Sequence, residues 1–207
     1  MKLLKSQAIS KFYILAGAAA LAGIVVLSGC GKEKTASAEK PAETTAASEQ
    51  SPAERGKYLV NAVAGCNDCH TPWKMGPQGP EPDMTRMLSG HPSEMVMPQP
   101  KLDMPWLAAL GATMTSAAGP WGISYAANLT PDSTGLGTWD ETTFMLAIRN
   151  GKHIGNGRPI LPPMPWQAYK NMTEEDLKAI FAYLKTIPPI KNKVPDPVLI
   201  APPTAMK

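Results

Sequence analysis

The feature that most constrains this sequence is a five-residue motif, Cys66-Asn67-Asp68-Cys69-His70. Two cysteines separated by two residues and followed at once by a histidine form the C-x-x-C-H pattern of covalent haem attachment. Each thiol can add to one vinyl group of the macrocycle, and the imidazole of the next residue can then bind the iron. The motif therefore predicts that Cys66 and Cys69 carry one haem c and that His70 is its proximal ligand.

Two other roles for the motif remain open from its residues alone. A thioredoxin-like redox pair would be expected to follow a strand, and a zinc site would recruit His91 or His153 as further ligands. The cysteine count favours haem, because the chain has 3 cysteines and the third, Cys30, belongs to a separate motif. No disulfide is then expected, and a haem would supply a large apolar core.

The N-terminus has the pattern of an export signal. Three lysines and an apolar run over residues 12–27 precede Leu27-Ser28-Gly29-Cys30. A positive region, an apolar region and small residues at the cleavage site mark a secretory signal peptide. The last four residues resemble the lipobox of bacterial lipoproteins, which implies removal of residues 1–29 and acylation of Cys30; two acyl chains suffice for stable anchoring. The alternative is an ordinary signal peptide with an unmodified Cys30.

The mature chain divides into three segments. Residues 30–51 contain no aromatic or large aliphatic side chain, which predicts a flexible tether. Residues 52–190 would form the folded domain, and residues 191–207 a proline-rich tail over its surface. Without residues 1–29, 17 basic residues balance 17 acidic ones, and no basic stripe supports nucleic-acid binding. We expect a lipid-anchored domain outside the cytoplasm, facing the periplasm or the surface of a bacterium.

Capping residues and apolar periodicity predict three helices. The first begins at Ser51-Pro52-Ala53-Glu54, which has the form of a capping box, and ends before the cysteine motif. The second begins with a similar box at Thr138-Trp139-Asp140-Glu141 and ends at Gly151. The third runs from Thr173 to Ile187, before Pro188-Pro189, with apolar residues at i, i+3, i+4 and i+7. No strand is needed, so the expected fold class is all-α.

These features resemble a class I c-type cytochrome with one haem, similar to the cytochrome subunits or domains of bacterial periplasmic dehydrogenases. The resemblance runs from residue 53 to 190 and rests on the cysteine motif, the final helix and Leu161-Pro162-Pro163-Met164-Pro165-Trp166. It implies the all-α class I cytochrome c fold around one covalent haem, with Met164 as the distal ligand. His70 and Met164 lie 94 positions apart, which makes residues 71–127 an enlarged irregular loop.

The distal ligand has competitors. Prolines on both sides hold Met164 in an extended segment that could place its thioether over the iron. Ligation by His and Met is an ordinary pairing in c-type cytochromes. His91 and His153 could ligate instead, although both lie in turn-like segments where a surface position is expected.

Further side chains are candidates for contacts with the haem. Trp139, Trp166 and Tyr169 are expected to pack on the haem or its edge and to donate hydrogen bonds to a propionate. Arg149, or alternatively Arg158, could pair with a propionate through its guanidinium fork.

The expected function is electron carriage rather than catalysis, because two axial ligands from the chain leave the iron no open site. Single electrons would pass from an extracytoplasmic dehydrogenase or quinol-linked complex to an oxidase, a reductase or another cytochrome. A thioether ligand favours the reduced state and raises the reduction potential. The alternative is a haem enzyme or a gas-binding haem sensor whose distal ligand can be displaced.

Overall fold

The computed structural model describes residues 50–102 and 105–200. The predicted signal peptide, the predicted acylation site Cys30, the tether up to residue 49 and the tail from residue 201 lie outside the described residues. Within the two described ranges, no helix combines the length and the apolar character that crossing a lipid bilayer requires.

The described part of the chain contains five α-helices: α1 (Pro52–Tyr58), α2 (Cys66–His70), α3 (Glu141–Asn150), α4 (Trp166–Tyr169) and α5 (Glu174–Leu184). There are also shorter helical turns. The chain continues from α1 into a π-helical turn at Leu59–Val63, and two 3-10 turns follow later, at Met84–Arg86 and His153–Gly155.

Side-chain caps set the helix starts. In α1 the backbone N–H of Glu54 donates to the Ser51 hydroxyl at 3.3 Å, and the Glu54 carboxylate accepts from the Ser51 N–H at 3.0 Å. The predicted capping box is thus confirmed. The box predicted at Thr138 is wrong, because Asp140 caps α3 instead and accepts from the Thr143 N–H at 2.7 Å. Aspartate is as good a cap as threonine and lies nearer the helix.

Helices α1 and α5 cross at Gly56. A Cβ atom on Gly56 would lie 1.9 Å from the carbonyl oxygen of Ala179, so the crossing requires glycine. Around it, α1, its π-helical turn, α3 and α5 bury one apolar cluster that includes Val60, Leu177 and Leu184. This cluster is the core on which the rest of the domain packs.

The fold is not all-α, and that prediction is wrong. The insertion, residues 71–127, contains a hairpin of two strands, β1 (Trp73–Gly76) and β2 (Gly79–Pro82). A second, antiparallel sheet has the strand order β3-β4-β5-β6. Its strands are β3 (Ala109–Leu110), β4 (Ser116–Gly119), β5 (Gly122–Tyr125) and, from the predicted tail, β6 (Val198–Leu199).

These strands lack the local pattern by which a strand is recognised. β4 reads Ser-Ala-Ala-Gly and is buried at all four positions. Because both of its faces are buried, its sequence does not show the alternation of apolar and polar residues that marks a half-exposed strand. In β6, Val198 pairs with Ile123, which lies 75 positions earlier in the chain. Gly122 permits this pairing, since a Cβ atom there would lie 1.9 Å from the Val198 carbonyl oxygen.

The Asn192 side chain joins the segment after α5 to the insertion. Its amide group donates to the carbonyl of Ser89 at 2.7 Å and of His91 at 2.9 Å, and its oxygen accepts from the Ser93 N–H at 3.0 Å. Asn192 is only 4% exposed. The first residues of the predicted tail therefore lie packed against the domain.

His91 is buried completely, contrary to the expected surface position. Its Nε2 donates to the Met95 carbonyl at 3.0 Å, and its Nδ1 accepts from the Thr115 hydroxyl at 2.9 Å. The Tyr125 ring lies 4.7 Å from the imidazole, centroid to centroid. Burial lowers the pKa of His91, which favours this neutral form. The residue helps to hold the insertion together.

Candidate haem-binding site

A cavity of about 470 Å³ lies among the elements that carry the predicted haem residues. Its wall is formed by the cysteine motif, by α3 and α5, by the β4–β5 part of the insertion, by residues 160–165 and by residues 193–197. The wall is largely apolar. Cofactor pockets generally occupy about 300–1,000 Å³, so the size suits a large organic cofactor.

Helix α2 presents the cysteine motif to this cavity. Cys66, Cys69 and His70 stand at i, i+3 and i+4 of the helix, so they share one face, and all three line the cavity. Gly65 turns the chain into α2 at φ 59°, in the left-handed region that glycine adopts without strain. The structure thus brings the three predicted attachment residues to one wall.

The thiols do not have the character of a redox pair. Burial raises the pKa of Cys66 to about 11, and burial with the nearby charge of Asp68 also raises the pKa of Cys69. A thioredoxin-like pair needs a lowered thiol pKa, and here the motif follows a helical turn rather than a strand. For zinc, no group of three or more His, Cys, Asp or Glu side chains comes together within residues 50–102 and 105–200.

His70 is oriented by the insertion. Its Nδ1 lies 2.8 Å from the carbonyl oxygen of Ala127, and since a carbonyl can only accept, Nδ1 carries the proton. Nε2 is then free to bind a metal, an arrangement common for metal-binding histidines. Burial lowers the pKa of His70, against a smaller opposing effect of the Ala127 hydrogen bond, which favours the neutral, ligating imidazole.

Several candidates for the distal ligand reach the cavity. Met164 is half-buried on its wall, and the exposed His153 also lines it, with its ring edge-on to Trp139 at 5.4 Å. His91 does not line the cavity. Two further methionines, Met114 and Met172, do so, although the family resemblance implies neither as a ligand. Ligation by Met164 stays a prediction.

The other predicted contact residues divide into two groups. Trp139 and Tyr169 line the cavity, and the Tyr169 hydroxyl donates to a backbone carbonyl just before the cysteine motif. Trp166 and Arg149 do not line it: Trp166 packs on Gly151, and the Arg149 guanidinium donates to the carbonyl of Lys170.

Comparison with known proteins places this site in a family, because residues 53–188 match the model of the family described as Cytochrome c. The chain belongs to the cytochrome c family. The cofactor is accordingly haem c, bound covalently, and the apolar cavity with its two cysteines and its oriented histidine fits that group.

Relatives of this cytochrome include subunits of bacterial dehydrogenases. It is 31% identical over 169 residues to the fructose dehydrogenase cytochrome subunit of Gluconobacter japonicus, covering 78% of this chain and 28% of that protein. It is 40% identical over 67 residues to the gluconate 2-dehydrogenase cytochrome c subunit of Pantoea cypripedii, covering 32% of this chain and 15% of that protein. It is 38% identical over 65 residues to the cytochrome c subunit of alcohol dehydrogenase (quinone) from Gluconacetobacter polyoxogenes, covering 31% of this chain and 14% of that protein. The cytochrome thus spans less than a third of each of these relatives.

The cavity of the cytochrome also contains residues that the sequence did not single out. Lys193 lies on the wall together with Arg158, the alternative arginine. Ser124 and Ala127 reach the wall from the insertion. Nothing local in the sequence marks Lys193, Ser124 or Ala127, because their positions depend on how the insertion and the tail fold against the helices.

Proposed function

We propose that this chain is a membrane-anchored monohaem cytochrome that carries single electrons from an extracytoplasmic dehydrogenase or quinol-linked complex to an oxidase, a reductase or another cytochrome. The observation that carries the proposal is the convergence of Cys66, Cys69, His70 and Met164 on one cavity. The relatives support a dehydrogenase as donor, because several are named as cytochrome subunits of dehydrogenases. The chain would carry electrons and would not itself transform a substrate.

The axial residues explain why this site would carry electrons. When bound, haem supplies a one-electron couple between ferric and ferrous iron. His70 would ligate through Nε2, since Nδ1 is committed to Ala127, and Met164 would supply a thioether. If His70 and Met164 both ligate the iron, neither oxygen nor a substrate would have a site there, and the thioether would raise the potential.

Cys69 offers a route for electrons between the cavity and a partner protein. It lines the cavity and is more exposed than Cys66, so the thioether at Cys69 would be the more accessible of the two. Close by in the chain, Val63 is 56% exposed. An exposed apolar side chain six positions before Cys69 in the chain suits a transient contact with a redox partner, which needs little buried area.

The anchor would keep the domain near its partners. Acylation at Cys30 would place residues 30–51, a stretch of 22 residues, between the membrane and α1. A flexible tether of that length has a root-mean-square span of roughly 25 Å. The domain would face the periplasm or the cell surface, and confinement near the membrane would raise its effective concentration towards membrane-bound donors and acceptors.

Absorption spectra test the ligation and the carrier function together. Wild-type ferric cytochrome should show the long-wavelength band of an iron–thioether bond, and its ferrous spectrum should not change when CO is added. Met164→Ala should lose the band and bind CO. Unchanged ligation in Met164→Ala would overturn the distal assignment, and CO binding by the wild type would favour a haem enzyme or gas sensor.

The donor can be tested by rapid mixing. Ferric wild-type cytochrome is mixed with membranes of the source bacterium and a dehydrogenase substrate, such as fructose, gluconate or an alcohol. The absorption of the ferrous form should then appear, faster than without added substrate. Membranes without added substrate serve as the control. A cytochrome that no such substrate reduces, but that a quinol does, would contradict direct transfer from a dehydrogenase.

The intact mass of the wild-type chain, compared with that of Cys30→Ala, tests acylation of Cys30.

A further inference from the structure

The segment that carries Met164 has few backbone hydrogen bonds. Pro162, Pro163 and Pro165 have no N–H to donate, and the Met164 N–H donates within the segment, to the Leu161 carbonyl at 3.3 Å. The Pro165 carbonyl accepts from the N–H groups of Ala168 and Tyr169 in α4, but residues 161–164 themselves depend on contacts from elsewhere in the protein. Among residues 50–102 and 105–200, the only hydrogen bond that reaches residues 161–164 from outside comes from one side chain of the insertion, Ser124.

Ser124 lies in β5 and is 8% exposed. Its hydroxyl oxygen lies 2.5 Å from the Pro162 carbonyl oxygen and 3.2 Å from that of Ala117. Since a hydroxyl has one proton and O–H···O bonds fall at about 2.5–3.0 Å, Pro162 is the acceptor. The Trp121 Nε1–H donates to the same oxygen at 3.3 Å, which leaves the proton of Ser124 for Pro162.

We propose that Ser124 is a positioning residue for the distal ligand: its hydroxyl anchors the Pro162 carbonyl and so holds Met164 at the cavity wall. This inference rests on the proposed ligation by Met164. It gives the insertion a defined role, because three residues further on the carbonyl of Ala127 accepts from His70. One short stretch of the insertion, residues 124–127, would then hold the segments of both axial ligands.

The chain contains a matched control for this hydroxyl. Ser116 lies on the adjacent strand β4, is 4% exposed and lines the same cavity. Its hydroxyl oxygen is buried and has no hydrogen-bond partner within the described ranges. Ser116→Ala therefore removes the same group from the same wall without removing a contact to residues 161–164.

The test measures how easily an external ligand replaces the thioether. Imidazole is titrated into the ferric holo-cytochrome, and the long-wavelength iron–thioether band is recorded for wild type, Ser124→Ala, Ser124→Thr and Ser116→Ala. In Ser124→Ala, imidazole should bind about five- to tenfold more tightly than in wild type, the effect of losing one neutral hydrogen bond. The band should weaken. Ser124→Thr, which keeps the hydroxyl, should return towards wild type, and Ser116→Ala should stay within about twofold of it.

The outcomes separate this inference from the function on which it rests. If the wild type has the band and Ser124→Ala binds imidazole no more tightly than Ser116→Ala, the role of Ser124 is refuted while Met164 ligation stands. If the wild type lacks the band, or Met164→Ala retains it, both proposals are overturned. Should Ser124→Ala yield no holo-protein, Ser124→Val is compared with Ser124→Thr, because the two side chains have nearly the same shape and differ in the hydroxyl. Tighter imidazole binding by Ser124→Val than by Ser124→Thr supports the role of Ser124, and equal binding refutes it.

Discussion

The substitution Asn192→Ala would remove three hydrogen bonds that join the segment after α5 to the insertion. Each bond contributes about 1 kcal/mol net. Two of the acceptors belong to Ser89 and His91, which are 0% exposed, so water cannot easily replace the lost amide. We expect the free energy of unfolding to fall by about 2–4 kcal/mol. That is a large fraction of the roughly 5–15 kcal/mol typical of a domain.

Urea unfolding of the holo-cytochrome, followed by far-ultraviolet circular dichroism, measures this loss. Asn171→Ala is the matched control, because Asn171 is exposed and its side chain makes, among the described residues, one hydrogen bond, to the nearby Gln167 carbonyl at 3.1 Å. It should cost less than about 0.5 kcal/mol. An Asn192→Ala variant within the same margin of wild type would refute the reasoning that residues 190–199 are an integral part of the domain.

Three further changes test other parts of the structure. Gly56→Ala should lower the free energy of unfolding by about 1–3 kcal/mol in the same assay, because the added Cβ would overlap a backbone carbonyl of α5. Hydrogen bonds from Thr143 lower the pKa of Asp140 below its ordinary 3.8. The charged cap therefore stabilises α3 fully above pH 3.8, and this stabilisation is lost as the pH falls through the lowered pKa of the folded state. Asp140→Asn should make the free energy of unfolding less dependent on pH in this acidic range. Lys193→Ala should lower the reduction potential by on the order of tens of mV, since a cation on the cavity wall favours the reduced haem. Spectroelectrochemistry measures this potential, and Lys57→Ala, which removes an exposed lysine that does not line the cavity, should change it less.

Local signals in the sequence were enough for three of the five helices, α1, α3 and α5, and for the cysteine motif. The Ser51 cap, the glycine after α3 and the apolar stripe of α5 each act within about four residues, which is the reach of a helical hydrogen bond. The attachment motif is equally local, since its residues share one face of a single helical turn. The same kind of signal misplaced the start of α3 by two residues, because threonine and aspartate are both good caps.

The sheets followed a different rule. β4 is made of small buried residues without alternation, and β6 pairs with β5 across a stretch of chain that contains α3, α4 and α5. Strand pairing is decided by which segments the tertiary fold brings together, and no residue pattern within either strand specifies the partner. For the same reason His91, in a turn-like segment, became a fully buried residue of the insertion.

The sequence by itself determined the chemistry of the site: two thiols and an imidazole at a spacing that one haem satisfies, with a proline-flanked methionine later in the chain. Only the tertiary structure decided what surrounds that chemistry. The carbonyl that orients His70, the hydroxyl that reaches Pro162 and the lysine on the cavity wall all come from the insertion and the tail. Covalent and capping chemistry depends on neighbours in sequence, whereas these contacts depend on neighbours in space.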